Sequence, residues 1–288
     1  MASMRDIKRR KSSIQSTGQI TKAMKLVSTV KLQKAKGRAE EAKPYFLYLY
    51  EAINSILKKS GNLSHPMLSA GESNKKAVIV ITSNRGLAGG YNANIVKLLT
   101  KGEIHREDVA VFSVGNKGRE ALSRAGYDIR KDYSYVMNEP SYSDAIDIGR
   151  EVMNAFSSGE VGEIYLAYTV FKNTVTHIPT LIKLLPFHAN EEDKTVESEM
   201  DKLTLMNYEP GPEEVLDQII PKYINGIIYG ALIEAVAAEN GARMQAMDNA
   251  TNNAEDMIAD LSLKYNRARQ SSITQELTEI VAGASAIE

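Results

Sequence analysis

The sequence predicts a central Rossmann-like α/β domain joined to a long antiparallel two-helix coiled coil, which the two ends of the chain form together. Strand-like and helix-like segments alternate in the middle of the chain, whereas both ends are rich in helix formers with heptad-like apolar spacing. The ends also carry opposite charge, since residues 1–43 hold twelve Lys and Arg against three Asp and Glu, and residues 211–288 hold five against twelve. Opposite potentials favour pairing. We therefore place the N-terminal helix in 1–60, the α/β domain in 75–190 and the C-terminal helix in 211–288.

The N-terminal helix has a thin apolar seam. No proline lies between residues 3 and 43, and Pro44 is expected to kink or interrupt the helix before it resumes over residues 45–59. Apolar or small side chains recur at spacings of three, four and seven residues, which is typical of a helix that packs against one partner. This seam consists of Ile7, Ile14, Thr17, Thr21, Met24, Ser28 and Ala35.

Five strands and three helices are predicted in the middle of the chain. Runs rich in β-branched residues mark the strands, and their alternation with helical segments favours a mostly parallel sheet in which the last two strands pair with each other. Either Ser143 or Asp144 is expected to cap the third helix. The predicted strands are 76–81, 109–114, a weaker one at 127–135, 164–171 and 176–185, and the predicted helices are 91–101, 117–125 and 143–157.

The C-terminal helix is predicted to be unusually long. No proline follows Pro221, and a helix over residues 213–284 would extend about 110 Å at 1.5 Å per residue. Such a helix needs a partner along its length, because packing rather than propensity stabilises helices. Its seam consists of Met244, Met247, Thr251, Ala254, Ile258, Leu261, Tyr265 and Ala268, after small residues at Ala231, Ala235, Ala238 and Ala242.

The last residues of this helix are apolar and carry few charges. The N-terminal helix is shorter, so this end is expected to lack a partner within the chain. An exposed apolar helix end is a liability unless another protein covers it. The sequence therefore predicts a socket on a partner for Ile273, Leu277, Ile280, Val281 and Ile287.

Composition excludes several classes of function. The chain has no cysteine, which excludes disulfides, cysteine-ligated zinc and thiol catalysis. Its four histidines show no metal-ligand spacing, and no catalytic triad pattern occurs. The basic N-terminus lacks the apolar core of a signal peptide. The sequence has no run of about 18 apolar residues, so no transmembrane helix is predicted. We expect no cofactor and no metal, and any membrane association only through partners.

Four blocks of the sequence resemble the γ subunit family of F-type ATP synthases. They are residues 5–35, 81–92 (ITSNRGLAGGYN), 242–258 and 265–286, and the resemblance spans essentially the whole chain. It implies a central rotating stalk that couples proton flow through the membrane sector to ATP synthesis or hydrolysis on the β subunits. It also implies a non-catalytic chain that binds no nucleotide or nucleic acid itself. The implied partners are the α and β subunits, the ε subunit and the membrane c-ring.

The same resemblance implies contact residues and a location. Positions associated in the family with β-subunit contact and coupling match Met24, Lys25, Arg243, Gln270, Thr274 and Glu276. Positions of the foot that meets ε and the c-ring match Tyr208 and Glu209. The absence of cysteine departs from the chloroplast branch, which has a redox-active pair, and implies a bacterial type at the cytoplasmic face of the cell membrane.

Two other hypotheses remain open from the residues alone. The loop SNRGLAGGYN at 83–92 follows a strand and precedes a helix, the context of a phosphate-binding loop. It lacks both the G-x-x-x-x-G-K-[ST] ending and the G-x-G-x-x-G spacing, so we favour a structural turn over a nucleotide-dependent enzyme that uses Gly89 and Gly90. The basic N-terminus suggests a nucleic-acid arm or a solvated helix face, although no aromatic residue precedes Tyr45 to stack on bases.

Overall fold

The computed structural model describes residues 4–59, 65–69, 71, 73–102, 104–187 and 211–285. Five helices and five strands form the regular elements of these residues, together with three short 3-10 turns at Pro66–Leu68, Arg106–Asp108 and Ser134–Asn138. In chain order the elements are α1 (Met4–Lys59), β1 (Lys76–Ile81), α2 (Tyr91–Thr100), β2 (Val109–Val114), α3 (Asn116–Arg124), β3 (Asp128–Asp132), α4 (Tyr142–Ser157), β4 (Glu163–Phe171), β5 (His177–Leu185) and α5 (Pro212–Ser285). Each predicted strand and helix of the middle region is present, with ends that differ by a few residues.

The strands form one mixed sheet with the order β3-β2-β1-β4-β5. The pairs β3–β2, β2–β1 and β1–β4 are parallel, so Val78 lies opposite both Val111 and Tyr165. The last strand, β5, pairs with β4, as predicted, and runs antiparallel to it. The parallel order 3-2-1-4 is that of a Rossmann-like fold, which confirms the predicted fold class.

Both faces of the sheet are covered. The strands β1 and β2 are almost continuously apolar and buried, as expected for central parallel strands with helices on each face. On one face, residues of α2 and α3 pack against the strands. On the other face, α4 packs together with the C-terminal part of α1, which contributes Ile53 and Ile56, and with the first turns of α5, which contribute Leu216, Ile220, Ile224 and Ile228.

The chain divides into two compact units. One, here called the coil unit, consists of Met1–Thr29 and Arg243–Glu288, and the other, the sheet unit, consists of Val30–Ala242. The helices α1 and α5 therefore contribute to both units. The predicted division of the sequence into 1–60, 75–190 and 211–288 describes consecutive segments of the chain and not compact units. It stays a prediction.

In the coil unit, α1 and α5 run antiparallel. The Oγ1 atoms of Thr21 and Thr251 are 2.8 Å apart, and Lys25 Nζ lies 2.6 Å from Asp248 Oδ1. Position numbers rise on α1 as they fall on α5, so the two helices point in opposite directions. Every predicted seam residue of α5, from Met244 to Ala268, is buried or half-buried.

The seam of α1 differs from the prediction at one position. Thr17 is exposed, and Gly18 occupies the seam position that was predicted for Thr17. The helices are close at this point, because a β-carbon on Gly18 would lie 3.3 Å from Ala254 Cβ. The partly or fully buried positions alternate at spacings of three and four, the spacing of a coiled-coil seam. They are Met4, Ile7, Lys11, Ile14, Gly18, Thr21, Lys25 and Ser28, and the flanking residues Met24, which was predicted for the seam, and Thr29 are half-buried as well.

Two local predictions need correction. The helix α1 is unbroken through Pro44, and α5 is likewise unbroken through Pro221. A proline removes one helical hydrogen bond, but its fixed φ is compatible with a helix. The helix continues because the segments before and after the proline pack against the rest of the protein. The cap of α4 is Ser141 rather than Ser143 or Asp144, because Ser141 Oγ accepts from Asp144 N while Asp144 Oδ2 accepts from Ser141 N. Asp144 is thus the second member of a capping box.

One helix of the described residues, α5, is long and apolar enough by composition to cross a membrane, whereas no such helix was expected from the sequence. In the stretch that meets this criterion, 44% of the residues are buried inside the protein. The core helix of a soluble protein meets the same criterion.

Candidate coupling surface

The predicted contact residues of α1 lie beside the coil seam. Met24 is half-buried, and the ammonium group of Lys25 is engaged by the Asp248 carboxylate of α5 at 2.6 Å. The side chains of Lys25 and Asp248 are 39% and 45% exposed, so water reaches both charges. The Lys25 charge is therefore partly balanced within the chain, while the ammonium group stays accessible from outside.

The predicted contact residues of α5 fall into two environments. Arg243 is half-buried on the helix where the coil unit begins. Gln270, Thr274 and Glu276 are exposed. Thr274 Oγ1 donates to Gln270 O at 2.9 Å, so this hydroxyl is satisfied by its own helix, as is that of Thr278 one turn further on.

Beyond Ala268, the side chains of α5 become exposed. Ile273, Leu277, Ile280 and Val281 are 48%, 57%, 68% and 66% exposed, respectively. The predicted exposed apolar end is therefore confirmed for the described residues, and Ile287 lies outside them. These side chains have the character of a surface that a partner covers.

The predicted foot residues, Tyr208 and Glu209, lie outside the described residues. Their assignment to contacts with ε and the c-ring stays a prediction.

Two basic residues of α1, Lys34 and Arg38, pair with an acidic residue within the sheet unit. Lys34 Nζ and Arg38 Nη2 lie 3.2 and 3.4 Å from Glu139 Oε1, beside the start of α4. The hydrogen bond and charge of Lys34, and then the charge of Arg38, lower the pKa of the Glu139 carboxyl. Two of the cations that a nucleic-acid arm would use are therefore already paired within the chain.

The loop after β1 is where a phosphate would bind in a nucleotide-binding member of this fold class. Here the N-terminal amides of the neighbouring helix α3 are bonded by residues at the end of β1. Asn116 N donates to Asn84 Oδ1 at 3.0 Å, Lys117 N donates to Ser83 O at 3.0 Å, and Gly118 N donates to Thr82 Oγ1 at 2.8 Å. These bonds join the segment after β1 to the start of α3, whereas the helix that the loop precedes is α2, where Tyr91 N donates to Ala88 O at 3.2 Å.

The same loop is braced from its other end. Asn92, in the first turn of α2, accepts from Ser83 N at 2.9 Å through Oδ1 and donates to Ser83 Oγ at 2.8 Å through Nδ2. Asn84 Nδ2 donates to Ser134 O at 2.7 Å, which joins the loop to the turn after β3. Leu87 has a positive φ of 62° and is 62% exposed. The loop is a fixed structural turn, and the bracing asparagines Asn84 and Asn92 were not predicted from the sequence.

Two of the histidines, His65 and His177, have structural surroundings. His65 is buried, with Nε2 3.0 Å from Asp217 Oδ1 and Nδ1 accepting from Met67 N at 3.2 Å. His177 packs on the Phe171 ring, and burial lowers its pKa. Within the described part of the chain, no group of three or more His, Cys, Asp or Glu residues is placed to hold a metal ion.

A Rossmann-like domain with an internally bonded loop, together with an antiparallel helix pair that ends in exposed apolar residues, defines a subunit that works through contacts with other chains. Residues 3–287 match the family model described as ATP synthase. The chain belongs to the ATP synthase gamma chain family, and is thus one subunit of that complex rather than an enzyme in its own right.

The relatives cover the full chain. It is 71% identical over 290 residues to the ATP synthase gamma chain of Lachnoclostridium phytofermentans, with 100% of each chain covered. It is 46% identical to that of Alkaliphilus metalliredigens, with 99% of each covered. It is 42% identical to the chain of Acetobacterium woodii that is named sodium ion specific, with 99% of this chain and 98% of the relative covered.

Solved structures share the fold at lower identity. A chain of the Euglena gracilis mitochondrial ATP synthase, from a structure of OSCP, F1 and c-ring, has a TM-score of 0.69 at 18% identity. The match covers 99% of this chain and 94% of the Euglena chain. A chain from the central stalk and c-ring of the Tetrahymena thermophila enzyme has a TM-score of 0.59 at 24% identity and covers 80% of this chain and 99% of its own.

Proposed function

We propose that the chain is the central rotating stalk of its ATP synthase and couples proton flow through the membrane sector to ATP synthesis or hydrolysis on the β subunits. The observation that carries this proposal is the antiparallel pairing of α1 and α5 next to an end of α5 with exposed apolar side chains. Paired helices supply stiffness, and the exposed end supplies a surface for a surrounding socket.

The asymmetry of a helix pair supplies the mechanism. Two helices have no threefold axis, so three surrounding β subunits meet three different faces of the pair at any moment. A partner shifts a conformational equilibrium only through its differential interaction with the two states. Turning the pair therefore changes which β subunit is held open or closed.

Individual residues have distinct roles in this proposal. Met24, Lys25 and Arg243 form contacts with β beside the seam, and Gln270, Thr274 and Glu276 form contacts along the exposed part of α5. The Lys25–Asp248 pair is accessible to water, so an acidic group of β can approach the ammonium through screened, weakly directional attraction. Such attraction guides a moving surface without binding it tightly.

The proposal places the chain at the cytoplasmic face of a bacterial cell membrane as a peripheral subunit. Its partners are the α and β subunits, the ε subunit and the c-ring, with Tyr208 and Glu209 in the foot that meets ε and the c-ring. The related solved structures, which comprise the central stalk, F1 and the c-ring of ATP synthases from other organisms, support the F1 sector and the c-ring as partners.

The chain has no catalytic role of its own in this proposal and binds no nucleotide. The loop at 83–92 supports this, because it lacks the lysine-hydroxyl ending and the glycine spacing of phosphate-binding loops, and Asn92 and Asn84 brace it as a structural turn. Calorimetry of the purified chain with ATP is expected to give no saturable heat. Saturable binding that is lost on substitution of Gly89 or Gly90 would instead favour the nucleotide-dependent enzyme.

A reconstitution tests the rotor itself. The chain is combined with α and β subunits, and a bead is attached through Asn154→Cys, an exposed position in a chain without other cysteines. We expect one chain per complex, stimulation of ATP hydrolysis, and rotation of the bead in one direction while ATP is present. A complex that hydrolyses ATP without turning the bead, or a chain that fails to assemble, would overturn the proposal.

A further inference from the structure

One end of the coil unit carries a dense cluster of cations. Residues 4–11 of α1 and 260–269 of α5 together hold eight Lys and Arg against two Asp, whereas the remaining described residues of the unit hold three against five Asp and Glu. We call this cluster the basic girdle. From α1 it includes Arg5, Lys8, Arg9, Arg10 and Lys11. From α5 it includes Lys264, Arg267 and Arg269.

The contacts between the helices place the two parts of the girdle side by side. The hydroxyls of Thr21 and Thr251 lie 2.8 Å apart, so the position numbers of facing residues add to about 272. The seam continues in this register to the first turn of α1, where Met4 is half-buried. Residues 4–11 therefore lie alongside residues 261–268, and the cations of both helices are at the same level of the pair.

The two acids of the girdle are engaged by cations of their own helices. Asp6 Oδ1 lies 3.6 Å from Arg9 Nη2, and Asp260 Oδ2 lies 2.7 Å from Lys264 Nζ. The α1 part keeps an excess of four positive charges, and the α5 part keeps an excess of two. Like charges on neighbouring helices repel, so the helices close at this level against an electrostatic cost.

Two further features weaken the closed helices at this end. Lys11 is a half-buried residue of the seam and lies at the level of the buried Leu261. Cations in the first turns of a helix are unfavourable, because the amino end of the helix dipole is positive. Since α1 begins at Met4, its first turns can separate from α5 without moving the parts of either helix that are anchored in the sheet core.

Exposed apolar side chains follow the girdle along α5. Ile273 is one turn beyond Arg269, and Leu277 is one turn further; they are 48% and 57% exposed. A nucleic acid would neutralise the cations but leave these aliphatic side chains in water. The aromatic residue of the girdle, Tyr265, is half-buried in the seam and is not free to stack on bases. A protein surface with acidic groups beside an apolar floor fits both parts.

We propose that the basic girdle is the docking surface for acidic groups of a partner protein, and that the first turns of α1 close fully against α5 only when those groups are present. The inference rests on the proposed function for the identity of the partner, the α and β subunits. It adds the chemistry of their socket, which is an acidic rim around an apolar floor. Binding removes the repulsion, so closure of this end of the coil unit is part of assembly.

Hydrogen exchange in the full-length chain tests the repulsion without a partner. Exchange of the amides of residues 8–14, which lie beyond the unbonded first turn of α1, is followed by mass spectrometry at 10 mM and 150 mM NaCl. Between these concentrations the Debye length falls from about 30 Å to about 8 Å. We expect exchange to be roughly three- to tenfold slower at the higher salt, relative to the amides of α4. Equal or faster exchange would overturn the proposal.

Substitutions on α5 separate repulsion between the helices from effects within α1. Arg267→Gln/Arg269→Gln removes the excess charge of the α5 part. It is expected to slow exchange of residues 8–14 by roughly three- to tenfold at 10 mM NaCl and to remove most of the salt effect. The matched control, Lys97→Gln/Lys101→Gln, removes two exposed cations of α2 and is expected to change neither. No change in the first variant, or an equal change in the control, would overturn the proposal.

Assembly tests the docking partner. The rate at which the chain joins α and β subunits is measured at 10 mM and 150 mM NaCl. Lys8→Gln/Arg10→Gln, at two exposed positions, is expected to lower this rate roughly three- to tenfold at the lower salt, whereas the α2 control keeps the parent rate. An equal rate in the parent and the girdle variant would overturn the girdle alone. A parent chain that does not join these subunits would instead contradict the proposed function.

A last comparison addresses nucleic acid. Single-stranded DNA is added to the full-length chain at 150 mM NaCl, and exchange of residues 8–14 is measured again. We expect no saturable protection, because nonspecific contacts to phosphates weaken steeply as salt rises. Saturable protection at this salt concentration would assign the girdle to nucleic acid and overturn the proposal.

Discussion

Lys25 Nζ and Asp248 Oδ1 lie 2.6 Å apart, and this ion pair joins α1 to α5 across the coil unit. Both side chains are more than a third exposed. Removing the pair with Asp248→Asn is therefore expected to lower the free energy of unfolding by about 0.2–1 kcal/mol, less in high salt. Chemical denaturation at low and high ionic strength measures this. A loss that salt does not reduce would contradict an electrostatic origin.

The same ion pair allows two roles of Lys25 to be tested separately, namely stabilising the coil unit and contacting β. Asp248→Asn leaves the ammonium group in place, whereas Lys25→Gln removes it. If the ammonium contacts β, only Lys25→Gln is expected to lower the yield of ATP synthesis per transported ion in the assembled complex. Equal effects of the two variants would assign Lys25 to the coil alone.

Gly149 on α4 lies against the Asn225 side chain on α5. A β-carbon at Gly149 would overlap Asn225 Oδ1, a buried atom that has no hydrogen-bond partner among the residues described. Gly149→Ala is expected to destabilise the protein by about 1–3 kcal/mol through overpacking. Its matched control is Gly37→Ala in α1, where nothing lies within 4 Å and helix propensity favours alanine by about 0.5–1 kcal/mol.

Denaturant unfolding of both glycine variants compares the two effects. Asn225→Ala is expected to relieve most of the cost of Gly149→Ala in the double variant, because the obstructing oxygen is gone. Additive effects of the two substitutions would show that the two residues do not interact.

Thr82 connects the end of β1 to the start of α3. Its Oγ1 accepts from Gly118 N at 2.8 Å and donates to Gly115 O at 3.2 Å, and the residue is fully buried. Thr82→Val leaves a buried amide without its acceptor and is expected to cost about 1–3 kcal/mol of stability. Thr100→Val, which removes an exposed hydroxyl bonded to its own helix, is expected to change stability by less than about 0.5 kcal/mol. Similar losses in the two variants, measured by thermal unfolding, would disprove the bonding role.

His177 gives the sheet unit a dependence on pH. Burial lowers its pKa below the ordinary value of 6.5, and its Nε2 is a buried atom close to Gly241. The unfolded chain therefore binds a proton more readily than the folded chain, and this contribution to stability is present above pH 6.5 and lost as pH falls below it. Unfolding free energies measured from pH 7.5 to 5 are expected to fall less steeply in His177→Gln than in the parent chain. His105→Gln, at an exposed position, is expected to keep the parent slope.

The coupling residues are expected to affect activity more than stability. Gln270 is exposed, so Gln270→Ala is expected to change stability by less than about 0.5 kcal/mol. In the assembled complex, Gln270→Ala and Arg243→Ala are both expected to lower ATP synthesis relative to ATP hydrolysis. Asn266→Ala, at an exposed position one turn before Gln270, is the matched control. Normal synthesis together with normal melting in both variants would exclude a coupling role.

Periodic features of this protein were predictable from the sequence. The strands β1 and β2 are runs of β-branched residues, and the seam of α5 repeats an apolar residue every three or four positions, so both are recorded locally in the chain. The pairing of the two chain ends followed from their opposite charge and matching seams. These features depend on neighbours within a few residues or on a repeated pattern.

Single contacts between distant residues were not predictable. Gly18 has no side chain, so a count of apolar residues passes over it and selects Thr17. Ser141 and Ser143 are both plausible caps, and only the backbone conformation separates them. The bonds of Asn84 and Asn92 depend on how close the loop after β1 lies to α3 and to the first turn of α2, and no periodic signal records those distances.

The core of the sheet unit has a consequence for synthesis of the chain. Leu216, Ile220, Ile224 and Ile228 of α5 cover the same face of the sheet as Ile53 and Ile56 of α1. A ribosome makes the strands long before it makes these residues, so one side of the nascent sheet stays incompletely covered until the last quarter of the chain emerges. Contacts between residues so far apart close slowly, and bare apolar surface invites aggregation. Newly made chains are therefore most prone to aggregate before α5 reaches the sheet.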